Sequence, residues 1–180
     1  MIVVKIFILD KNFVKVYYAN MEVDVMNEIK RFQDNLLLIR RTVGWTAEEF
    51  GERIGVTRQT INNLEAKRST LNKTQYIAMR AVLDAEMARV PEETEMLGCL
   101  LDVFVDNPDK YNEEVKKELL IKANMLTPSI LAGTTSRKDV SKEIMSIAGA
   151  MGLVVGMALP LLRATISVSS WLTEIIKDKE

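Results

Sequence analysis

The sequence predicts an all-α protein: a run of short helices from Asn27 onward, followed by further C-terminal helices, with a short β-hairpin at the N-terminus. Three observations carry this. From Asn27 onward the apolar residues recur at helical spacing. Helix-start signals, a polar cap with an acid three residues on or a proline in the first turn, recur between them. Between residues 46 and 67, two short amphipathic segments flank a glycine, and the second opens on a wholly polar tip.

Each element follows in turn. Residues 2–9 and 13–18 are rich in β-branched and aromatic types around the turn signal Asp10-Lys11-Asn12, which reads as a hairpin. An isolated hairpin is marginal in water. The competing reading is that translation starts at Met21 or Met26. The first helix places Ile29, Phe32, Leu36, Leu37, Ile39 and Val43 on an apolar stripe and ends at Gly44. Thr46 with Glu49 forms a capping box that opens a second helix through Ile54, and Gly55 breaks it. Thr57 caps a third helix running to about Lys67. A fourth covers 73–89 and stops before Pro91. A fifth begins at Pro91-Glu92-Glu93 and ends at Asn107-Pro108, and a sixth covers 112–125. Thr127-Pro128 and 133–136 are punctuation. A last apolar helix starts near Val140. These elements group as 1–25 (hairpin or mis-assigned start), 27–90 (short helices around the glycine turn), 91–126 (acidic helical region) and 127–180 (apolar helical region).

Composition narrows the function. Apolar residues make up 48% of the 180 and charged residues 27%, ordinary globular usage. There is no histidine, so the commonest general base and metal ligand is missing. The single cysteine, Cys99, sits in an uncharged run and reads as a buried apolar side chain in a reducing compartment. No signal-peptide pattern opens the chain. No phosphate-cradling glycine loop and no nucleophile with a base beside it is found, so an enzyme is not expected, nor a cofactor or metal. The net charge of −1 hides an asymmetry: residues 30–80 carry ten Lys/Arg against five Asp/Glu, a net +5, whereas 81–129 carry a net −6. A local excess of that size suits a polyanion-binding module. The acidic 92–124 stretch reads as a solvated face.

The polar tip supplies the candidate site. Thr57, Arg58, Gln59 and Thr60 open the third helix, and Asn63 lies one turn on from Gln59 on the same face. A helix fits the major groove. Arg matches the acceptor pair of guanine, and Gln or Asn the donor–acceptor pair of adenine.

Residues 32–88, through Gly44-Trp45-Thr46, Glu48-Glu49-Phe50, Ile54-Gly55-Val56-Thr57-Arg58-Gln59-Thr60-Ile61 and Leu64-Glu65, resemble the Cro and phage-repressor helix-turn-helix family, also called the xenobiotic-response-element type. The resemblance implies a five-helix domain that binds double-stranded DNA as a dimer on paired half-sites. It implies that Arg58, Gln59 and Asn63 read base edges, and that Thr57, Asn62 and Arg68 touch phosphates. Lys67, following the helix, joins the phosphate set. It also pairs Arg40 with Glu65 as a bridge between helices. Two departures stand out. Ala47 replaces the glutamine that clamps the DNA backbone, so that contact is lost. Glu65-Ala66-Lys67-Arg68 lacks the usual glycine, so a differently shaped loop is expected.

Residues 144–162 form a 19-residue run without charge, long enough to span a membrane. Ala148, Gly152 and Gly156 line up at four-residue spacing, which suits close helix packing in lipid or in a soluble core equally. Three basic residues precede the run and three follow it, so no orientation emerges. Ala164, Val168, Trp171, Leu172, Ile175 and Ile176 then form an amphipathic stripe. Residues 140–176 are therefore expected to assemble a homodimer, bind a protein partner or anchor in a membrane. The readings left open are a cytoplasmic DNA-binding repressor, an antitoxin-type interaction module acting through its C-terminal half, and a membrane-tethered sensor.

Overall fold

The computed structural model describes residues 24–150, and these are helical throughout, with no strand among them. The hairpin expected over 2–18 and most of the 144–162 run lie outside the described residues.

The single first helix expected from Asn27 to Gly44 is two helices. α1 (24–34) stops at Asn35, and α2 (Leu36–Thr42) restarts at once. Asn35 departs from helical geometry at φ −109°, ψ 7°, and its side-chain amide donates to the Arg31 carbonyl at 2.9 Å. A short polar side chain that bonds the preceding turn competes with the backbone ladder. The break shifts the stripe. Leu37, expected to face inward, is 36% exposed, while Leu38 is buried.

α3 (Ala47–Ile54) opens on the capping box, with both reciprocal Thr46–Glu49 bonds formed. α4 (Arg58–Glu65) starts at Thr57, whose hydroxyl accepts from the Thr60 N–H. α5 (Lys73–Arg89) has a second capping box, Asn72 with Gln75. The fifth predicted helix is subdivided. A 3₁₀ turn (Pro91–Glu93) leads into α6 (Glu95–Leu101), and a wider turn of π type covers Asp102–Asp106. α7 (Glu113–Leu131) runs six residues beyond its expected end and through Pro128. Pro128 is exposed and lies in the last turn, so only one ladder bond is lost. The Ala132 N–H closes the helix on the Pro128 carbonyl at 3.0 Å. α8 (Arg137–Ala150) begins after Ser136, whose hydroxyl accepts from the Asp139 N–H.

Two apolar cores result, joined through α2. Leu36 and Ile39 face the first core with Phe32, Phe50, Ile61, Leu64, Tyr76 and Leu83, closed from beyond α5 by Leu97, Leu101 and Val105. Leu38, on the opposite side of α2, enters the second core with Met96, Leu100, Val103, Leu119, Ala123, Val140 and Ile144. Cys99 is buried there. The α6–α8 layer therefore packs directly on α2. The described part of the uncharged run belongs to this core, with Ile144, Met145 and Ala148 buried. Among the described residues no helix is long and apolar enough to cross a membrane.

Candidate nucleic-acid interface

The interface is built around the turn from α3 to α4. Gly55 takes φ +75°, a left-handed conformation that side chains with a Cβ rarely adopt. One turn earlier, Gly51 lets the chain fold back: a Cβ there would sit 2.6 Å from the Val56 carbonyl oxygen. The Val56 N–H in turn bonds the Gly51 carbonyl at 2.9 Å. The sequence reading passed over Gly51. A glycine in a helix interior, four residues before another glycine, was the available signal.

α4 buries Ile61 and Leu64 and turns its first residues outward. Arg58 and Gln59 are exposed, and Asn62 and Asn63 are half-buried. The Gln59 amide donates to Asn63 Oδ1 at 3.0 Å, so these two side chains form one polar unit on the outer face. The Thr57 hydroxyl is engaged in capping and in a 3.0 Å hydrogen bond with the Thr60 hydroxyl.

The helix is braced at its far end. Arg40 Nε lies 2.5 Å from Glu65 Oε1, and Nη2 lies 3.0 Å from Oε2, a bidentate pair with both side chains less than a tenth exposed. Arg40 Nη1 also donates to the Trp45 carbonyl at 2.7 Å. One guanidinium thus links α2, the turn before α3 and the end of α4. The Arg53 guanidinium stacks over the Trp45 ring at 4.3 Å. Glu49 lies nearby, its carboxyl held below the ordinary range first by hydrogen bonding to the Thr46 backbone N–H. Ala47 brings no polar group to this edge.

The loop after α4 differs from expectation. Without its glycine it still turns left-handed, because Lys67 itself adopts φ +56°. The Lys67 N–H bonds the Leu64 carbonyl at 3.1 Å, and the Arg68 N–H bonds the Asn63 carbonyl at 2.8 Å. That is the Schellman arrangement, which satisfies the last carbonyls of a helix. The Lys67 ammonium lies 2.5 Å from Asp34 on α1, and Arg68 is exposed. Gln33, which the sequence reading also missed, reaches this loop from α1. Among the described residues no group of three or more Cys, Asp or Glu is placed to hold a metal ion.

Two short helices at a glycine turn, the second exposing a polar tip, define a helix-turn-helix. Residues 36–89 match the family model described as Helix-turn-helix, just under a third of the chain. No curated protein and no solved structure matches the chain. The segment is a helix-turn-helix domain of the Cro and phage-repressor type, a DNA-binding module of transcriptional regulators.

Proposed function

We propose that the protein is a sequence-specific repressor of transcription that inserts α4 into the major groove and works as a homodimer. The observation that carries this reading is the edge formed by the exposed Arg58 and Gln59 and the half-buried Asn63, on a helix whose opposite end is fixed by the buried Arg40–Glu65 pair. A rigid helix presenting an Arg and a coupled Gln–Asn unit can discriminate G·C from A·T at adjacent positions. Arg68 and Lys67, with Thr57 and Asn62, are assigned to phosphate. Phosphate contacts set register without reading sequence. Assembly is assigned to the C-terminal segment, since the 144–162 run and the stripe through Ile176 are too apolar to leave in water.

Selection of bound duplexes from a random pool, at stated salt, tests the reading. The wild type should enrich one motif. Each of Arg58→Ala, Gln59→Ala and Asn63→Ala should cost about 1–3 kcal/mol on that motif and relax one position. A triple variant that enriches the same motif refutes the assignment.

A further inference from the structure

We propose that Gln33, on α1 and outside the matched segment, is a positioning residue for DNA binding. Its amide holds the loop after α4 in the shape that presents Arg68 to the phosphate backbone. This rests on the reading of that loop as a phosphate contact.

Gln33 Nε2 donates to the Leu64 carbonyl at 3.0 Å and to the Ser69 carbonyl at 2.7 Å, while its Oε1 accepts from the Leu71 N–H at 3.0 Å. Both amide protons and the amide oxygen are thus used by one loop. The three partners lie on either side of Lys67 and Arg68, so the side chain closes the loop like a clasp. Beyond its own Schellman bonds, the loop is tied to the rest of the fold by Gln33 and Asp34. Residues 66–70 are exposed, and packing resumes only at Leu71, which is buried. Its left-handed residue is a lysine rather than a glycine, so the backbone conformation needs outside support. The neighbouring Asp34 adds a second tie through Lys67. Both cations of this loop are exposed, and the Lys67 ammonium is paired with Asp34, so the phosphate contact at issue is that of Arg68. A phosphate contact from a loop is only as strong as the loop is pre-ordered, because ordering it on binding draws on the binding free energy.

The test compares full-length wild type, Gln33→Met, Arg68→Ala and the double variant on the selected operator over a series of salt concentrations. Gln33→Met keeps the side chain's length and removes all three bonds. It should weaken binding about tenfold, lower the log–log salt slope by about one, and leave the base preference unchanged. In the Arg68→Ala background the same substitution should have no further effect, since coupled residues are not additive. A role in fold stability alone would lower affinity equally in both backgrounds, and that result overturns the proposal. If Arg68→Ala itself changes neither affinity nor slope, the phosphate reading of the loop fails instead. Should Gln33→Met not fold, the neutral Gln33→Asn, one methylene too short to reach the three partners, should give the same pattern. Amide exchange on the wild type gives an independent check: the Leu71 N–H should be protected in the free protein, and fast exchange there overturns the clasp.

Discussion

Lys67 and Gly51 set opposite steric problems around one helix. Lys67 stands where the backbone is left-handed, a conformation that costs a side-chain-bearing residue about 1 kcal/mol. Lys67→Gly should therefore raise stability by up to that amount, offset by glycine's greater unfolded-state freedom. The midpoint of thermal unfolding should rise by a few degrees while DNA binding weakens for want of one cation. Gly51→Ala should do the reverse, driving a methyl group against the Val56 carbonyl and opening the α3–α4 turn at a cost of about 2–4 kcal/mol. Calorimetry on the two variants checks both signs. At this scale the sequence was informative wherever a residue acts on its near neighbours. Thr46 with Glu49 and Thr57 as a cap were legible because their partners lie three residues away. Gln33 was not, because its partners lie 31 to 38 residues away and only the fold brings them together.

The position of α4 depends on an ion pair more than on apolar area alone. Breaking a buried pair leaves a charge without compensation, whereas replacing both members by apolar groups is often neutral. Arg40→Met should thus cost about 3 kcal/mol, and Arg40→Met with Glu65→Leu should recover most of it. Operator affinity should stay low in the double variant, because the link from α2 through the Trp45 carbonyl to the end of α4 is gone. Stability and affinity, measured on the same three proteins, separate these effects. Recovery of both would mean that the bridge does not orient the helix. The same paired measurement explains why elements were only partly legible. Periodicity located α3, α4 and α5, each of which buries residues in one core. It failed on α2, which buries Ile39 in one core and Leu38 in the other, so no single stripe describes it. Pro128 misled for a different reason: a proline in an exposed last turn removes one bond and leaves the packing that holds the helix.

Across the whole described molecule, Arg137 ties the second layer to the first. Its Nη1 donates to the Val43 carbonyl at 3.2 Å and to Glu86 at 2.7 Å, and Nη2 to Glu93. Burial pushes the Glu86 carboxyl up, but hydrogen bonds from Arg89 and Arg137 outweigh it and hold the group below its ordinary value of 4.5. A carboxylate with a depressed folded-state pKa contributes stability that is present above 4.5 and lost as pH falls through the folded value. Asp106 runs the other way. Burial raises it despite the partnering Arg80, so its protonation favours the fold as pH falls. The Glu86 contribution is therefore best read as a difference. Wild type minus Arg137→Met should show a stability gap above pH 5 that narrows below pH 4 (about half a unit either side of the ordinary value). Denaturant midpoints across that range would show it, and a gap that widens in acid would contradict the assignment.

Where the chain can be cut follows from the two cores. Ending it after Met125 removes α8 and with it Val140, Ile144, Met145 and Ala148, which cover Met96, Leu100 and Val103. Burial of four such side chains is worth about 6–10 kcal/mol as an upper estimate, comparable with the whole stability of a domain. That truncation should aggregate or unfold, because the second core, which also holds Leu38 of α2, would be opened. Ending the chain after Ala150 keeps every described residue of both cores. The product should unfold cooperatively near the full-length midpoint and select the same DNA motif, since every assigned base contact is retained. What it should lose is the second copy. Two half-site contacts joined in a dimer gain affinity through effective concentration without altering either contact set, so operator binding should fall by a hundredfold or so while the affinity for one half-site stays put. Sedimentation at binding concentrations, with and without residues 151–180, decides the matter. If the full chain sediments as a monomer and binds no tighter than the truncation, the C-terminal run does not assemble the protein and the homodimer reading fails.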